Sequence, residues 1–251
     1  MTDRSTFVTQ VQRRAVRRAA RSVAGTSVLI GTGFWLVFTI VAVVVPLLVD
    51  RAGNEMGHGV LTASDNVSRW FAFGTAIAMV ATILRTHLAA GGTRRALRDG
   101  TVLAALVIGV VYAVLGGLAT WGERSLFSAL GWTWQGPSGV LATGDGAFAV
   151  ELVADTLATA VYVLVGGAVV VGYQTYGVWR GTLLVVPGLV PLALVDLLTA
   201  GGTGHDVLVD AAGFDVPGTA VLGLLGGAAV VALATGWLHL HLSSLRLRPT
   251  R

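Results

Sequence analysis

Six apolar stretches, each long enough to cross a bilayer, constrain this chain more than any motif in it. They run over residues 28–49, 70–89, 101–121, 148–172, 181–200 and 219–240. As helices rising about 1.5 Å per residue, each reaches roughly the 30 Å of a hydrocarbon core. A closed barrel would need short alternating strands, and none of the six stretches alternates. The predicted fold class is therefore all-α, a polytopic membrane protein with six transmembrane helices. Residues 1–25 form a basic leading segment and residues 26–251 the membrane domain. Only 12% of the 251 residues are charged, about half of what a soluble domain carries. With 251 residues shared among six spans, no nucleotide-binding or large extramembrane domain is expected.

Charge placement predicts the orientation. All 17 basic residues are arginine. With alternating spans, fourteen of them (Arg85 included) fall on the side of the two termini and three, Arg51, Arg69 and Arg124, fall opposite. The positive-inside rule then puts both termini in the cytoplasm. Asp50, Glu55, Asp65, Glu123, Asp145, Asp206, Asp210 and Asp215 fall in the three outer loops, 50–69, 122–147 and 201–218. So partitioned, the net charge of +4 is a topology signal and implies no nucleic-acid partner. Ahead of the first span, Phe7, Val8, Val11, Ala15, Ala19 and Val23 recur every three or four residues, with arginines mostly on the other face. This pattern predicts an amphipathic elbow helix along the inner, anionic surface, with membrane lipids as its partner. The long apolar run behind it, which ends in PLLVDRAG, reads as a retained helix rather than a cleaved signal.

Catalytic constellations are missing from the sequence. Cysteine is absent, which removes thiolate chemistry and disulfides. No HExxH or GxSxG is present, and His239 and His241 are two apart and so face different ways on a helix. Without a lysine the chain cannot form a Walker-type phosphate loop. No catalytic residue and no metal ligand is therefore expected. Glu151 and Asp155 share one helix face, and with Asp196 they place carboxylates in the outer half of the membrane, candidates for an acidic vestibule or pathway. Such charges face a bundle interior or a wet boundary. Pro187, Gly188 and Pro191 predict a bend or break in the fifth span. Gly223 and Gly227 form a close-packing GxxxG pattern.

The turn between the second and third spans reads Gly91-Gly92-Thr93-Arg94-Arg95, followed by Arg98. Gly91 and Gly92 permit a tight turn, and Thr93 can cap the next helix. This turn, opening directly onto a long span within LAAGGTRRALRDGTVLAALVIGVVYAVLGG, resembles the permease subunits of type 2 (ABC-2) exporters. In more detail it looks like the small six-span permeases of actinobacteria, and GGAVVVGYQTYGVWRGTLLVVPGLVPLALV over 166–195 is similar to their fourth and fifth spans. The resemblance implies a plasma-membrane exporter subunit that works with a separate ABC ATPase and a second permease subunit. ATP and Mg would sit on the ATPase and no cofactor on this chain. It also implies that Gly91, Gly92, Thr93, Arg94, Arg95 and Arg98 are the ATPase-coupling turn. The competing expectation is a non-transporting membrane protein, such as an anchor, immunity or regulatory factor.

Overall fold

The computed structural model describes residues 2–63, 65–135, 146–199, 213 and 220–245, and the side chains of residues 2–9, 62, 63 and 65 are not described. Seven helices are present among these residues: α1 (Thr2–Arg51), α2 (Val60–Ala63), α3 (Asp65–Ala89), α4 (Arg94–Leu130), α5 (Ala147–Tyr176), α6 (Val178–Leu198) and α7 (Ala220–Ser244). All but α2 are long and apolar enough to cross a membrane, six in total. Asp145, His205, Asp206, Asp210, Asp215, Arg246, Arg248 and Arg251 lie outside the described residues, as do Ala200 and Thr219 at span ends.

A separate elbow helix over residues 1–25 is not seen; Thr2–Arg51 is one uninterrupted helix. Nothing breaks it: the only proline is Pro46, and a lone glycine such as Gly25 costs a helix only about 1 kcal/mol. At 50 residues it spans roughly 75 Å, more than twice the hydrocarbon thickness. Ala19, Ala20, Val23 and Ala24 are buried, and a side chain added at Gly100 of α4 would meet Ala19 at 2.6 Å. Higher up, Gly31 lies against Tyr112 and Gly116 against Trp35. The constant offset means that α1 and α4 run in the same direction, side by side, through the membrane and beyond it.

Helix α5 is the hub. From Ala158 to Gly172 every residue is buried, and it packs against α3, α4, α6 and α7. A helix apolar on all sides belongs in the middle of a bundle, and small residues let its neighbours approach. At Gly109 a side chain would overlap the Thr156 backbone carbonyl of α5, and at Gly166 one would come within 2.6 Å of the Phe73 carbonyl of α3. The GxxxG residues Gly223 and Gly227 are buried too, with Gly227 set on Leu157 of α5. The close approach at Gly227 is used inside the chain.

The predicted break in the fifth span is not seen: α6 is continuous through Pro187 and Pro191. An interior proline removes one backbone N–H and crowds the carbonyl four residues back, a disturbance that membrane spans accommodate through local adjustment and neighbouring helices. Gly188 provides the clearance, since the Trp237 indole of α7 occupies the space a side chain would need. The third span also extends further than expected. Helix α4 continues beyond Trp121 to Leu130 and ends at Gly131, whose φ of 75° is left-handed, a conformation favourable to glycine.

Candidate functional site

Two clusters stand at opposite ends of the bundle. At the end away from the N-terminus, Arg69 of α3 bridges two helices. Its Nη2 donates to Asp155 Oδ1 of α5 at 2.7 Å, and its Nη1 donates to Asp196 Oδ1 of α6 at 3.1 Å. The Tyr162 hydroxyl donates to the other oxygen of Asp196 at 2.8 Å. Arg69 and Asp196 are 4% and 2% exposed, whereas the Asp155 side chain is 44% exposed. The cluster is thus sealed on the Asp196 side and open on the Asp155 side. Glu151, one turn from Asp155, is half-buried.

Of the three carboxylates expected to line an acidic vestibule, Asp155 and Asp196 converge, but on a guanidinium. Arginine stays charged in any protein environment, so Arg69 is the positive partner shared by both carboxyl groups. A cationic ligand would have to displace it. What the geometry supplies directly is a three-helix ion-pair lock between α3, α5 and α6. Arg69 had been assigned by sequence to an outer loop. Its signal lay in the charge requirement: carboxylates inside spans need an opposite charge, and only three arginines were available at that end. Tyr162 carried no such signal.

The same end holds a second polar contact. Glu123 of α4, expected in a loop, is buried and accepts the Leu61 backbone N–H at 2.9 Å and the Trp134 indole N–H at 3.5 Å. Arg124 stacks over the Trp134 ring at 5.8 Å. A side chain at Gly59 would overlap the Glu123 carboxylate. Glu123 therefore fastens the 52–61 segment and the chain after α4 to one point.

The predicted coupling turn lies at the other end. Gly91 adopts φ 78°, and the Gly92 Cα faces the His87 ring. Thr93 is the N-cap of α4, its hydroxyl accepting the Ala96 N–H at 3.1 Å. Arg94 donates to the Ser243 carbonyl at the end of α7, 3.0 Å away. Arg98 pairs with Asp99 at 2.6 Å and donates to His239 Nδ1 at 3.4 Å. Arg95 is exposed. His241 stays on another face, against the Tyr176 and Trp237 rings. These contacts gather the basic half of α1, the turn at 90–93, the turn at Gly177 and the end of α7 at one end. Thr93→Ala should cost about 1 kcal/mol through loss of the cap, read as a lower denaturation midpoint in detergent.

Among the described residues no group of three or more His, Asp or Glu side chains could hold a metal ion. The bundle and its internal ion pairs define a class: an all-helical, multi-pass membrane protein. Compared with protein-family models, curated proteins and solved structures, the chain matches none.

Proposed function

We propose that this chain is the membrane subunit of an ATP-driven exporter of the ABC-2 type, set in a bacterial plasma membrane with its arginine-rich end in the cytoplasm. A separate ATPase subunit would bind ATP and Mg, and a second permease subunit, identical or related, would complete the pathway. The observation that carries the reading is the turn at Gly91–Arg98. It is short, capped by Thr93, tied by Arg94 to the end of α7, and it presents Arg95 outward. A capped turn with an exposed arginine is suited to pairing with carboxylates on a soluble partner. It also moves with both α4 and α7, so a push on it reaches two spans.

Co-purification with candidate ATPases from the same membrane tests this reading. Arg95→Glu should reduce ATPase recovery tenfold or more, about 1.4 kcal/mol of binding, because it puts like charges in contact. Failure of every ATPase to bind, or unchanged recovery with the Arg95→Glu variant, would remove the coupling role.

A second reading is favoured by one observation. Asp155 and Asp196 are committed to Arg69, as expected of a membrane anchor, immunity factor or regulator that moves no substrate. Transport by reconstituted permease with its ATPase separates the two readings.

A further inference from the structure

The first helix has a polar stripe and an apolar stripe on the same face, one above the other. Arg14, Arg18 and Arg21 follow i, i+4, i+7 spacing, so they share a face. The same face continues upward through Gly25, Leu29, Thr32, Leu36, Thr39 and Val43. All of these residues are exposed. From Thr32 to Val44 this face forms one wall of an apolar groove of about 610 Å³, with Leu115 of α4 opposite. Between the arginines and the groove, Gly25 lies on this same face with nothing within 4 Å of where a side chain would be, and the exposed Leu29 follows it. No acidic side chain pairs with the three arginines among the described residues: the ion pairs formed are those of Arg69 and Arg98.

We infer that this face of α1 is a binding site for an anionic phospholipid, with the phosphate held by Arg14, Arg18 and Arg21 and one acyl chain lying along Gly25 and Leu29 into the lower groove at Thr32 and Leu36. Charge complementarity selects the occupant. An uncompensated arginine stripe calls for an anion, and its direct continuation into a lipid-facing apolar groove calls for an anion that carries a hydrocarbon chain. From Arg21 to Leu36 is 15 residues, about 22 Å of helix, which an arginine side chain and an acyl chain one leaflet (~15 Å) deep together cover. The register of α1 on α4 places these arginines at the level where α4 begins, the boundary where headgroups lie. The inference requires α1 to cross a bilayer and does not depend on the exporter reading.

The test uses the full-length protein purified in a mild detergent, then offered equimolar phosphatidylglycerol and phosphatidylcholine. Retained lipid is counted by native mass spectrometry. The wild type should hold the anionic lipid in clear excess, and that preference should fall about fivefold for each arginine replaced, in the series Arg14→Gln, Arg18→Gln and Arg21→Gln. Thr32→Trp should lower retention of both lipids by filling the lower end of the groove that Thr32 lines, with unchanged helix content, because Thr32 is exposed. Neither inorganic phosphate nor soluble polyglutamate, at millimolar concentration, should displace the bound lipid. Equal retention of both lipids, or a preference that survives the triple arginine variant, would overturn the site. Displacement by phosphate would reduce it to a simple anion site, and displacement by polyglutamate would assign the face to an acidic protein; either overturns the lipid assignment.

Discussion

Arg69→Leu is expected to destabilise the folded bundle by about 3–5 kcal/mol, the cost of leaving a buried carboxylate without its counter-charge. Most of that falls on Asp196, which is 2% exposed and would lose Arg69 while keeping the Tyr162 hydroxyl. Asp155, half open to its surroundings, can recover solvation and contributes less. The measurement is a denaturation midpoint for purified protein in detergent. Adding Asp196→Asn to Arg69→Leu should restore a large part of the loss, since the neutral amide needs no cation. If Arg69→Leu leaves the midpoint unchanged, or if the second substitution lowers it further, the cluster is not the lock between α3, α5 and α6.

Gly109→Leu and Gly166→Leu should each be severely disruptive, by about 3 kcal/mol or more, at the upper end of the range for overpacking. At Gly109 the new side chain would run into the Thr156 carbonyl, and at Gly166 into the Phe73 carbonyl. Neither obstacle is a flexible side-chain tip. The helices must separate, and α5 loses contact with α4 or α3. Gly74→Ala is the control: nothing lies within 4 Å of that position, so it should gain up to about 1 kcal/mol from helix propensity alone. Recovery of folded protein from membranes, together with the denaturation midpoint, reads all three. Normal yields of Gly109→Leu and Gly166→Leu would contradict the close packing around α5.

These two results concern features of different legibility. The spans could be read directly, because a bilayer demands an unbroken apolar run and hydropathy records it residue by residue. The turn at Gly91–Thr93 could be read as well, since its glycines and cap act within a few residues of each other. Arg69 could not be paired from sequence: its partners lie 86 and 127 residues away, and nothing local distinguishes an arginine in a loop from one four residues into a helix. Glu123 was hidden for a related reason. Its place within α4 depends on that helix outrunning the membrane, which hydropathy cannot register once the residues turn polar. A separate elbow is not seen, and an amphipathic basic segment has the same pattern whether it lies on a membrane or stands on a neighbouring helix. Packing of Ala19 against Gly100 decided between them.

The most direct test of the account is the sidedness of the six-helix bundle. The chain contains no cysteine, so each introduced one is the only thiol. Ala90→Cys and Ser244→Cys mark the arginine-rich end, and Asn54→Cys and Ser128→Cys mark the other; all four positions are exposed. In intact bacterial cells treated with a membrane-impermeant maleimide, Asn54→Cys and Ser128→Cys should be labelled. Ala90→Cys and Ser244→Cys should be labelled only after the cells are opened. Labelling of Ala90→Cys and Asn54→Cys from the same side would contradict the arrangement of spans on which every other assignment depends.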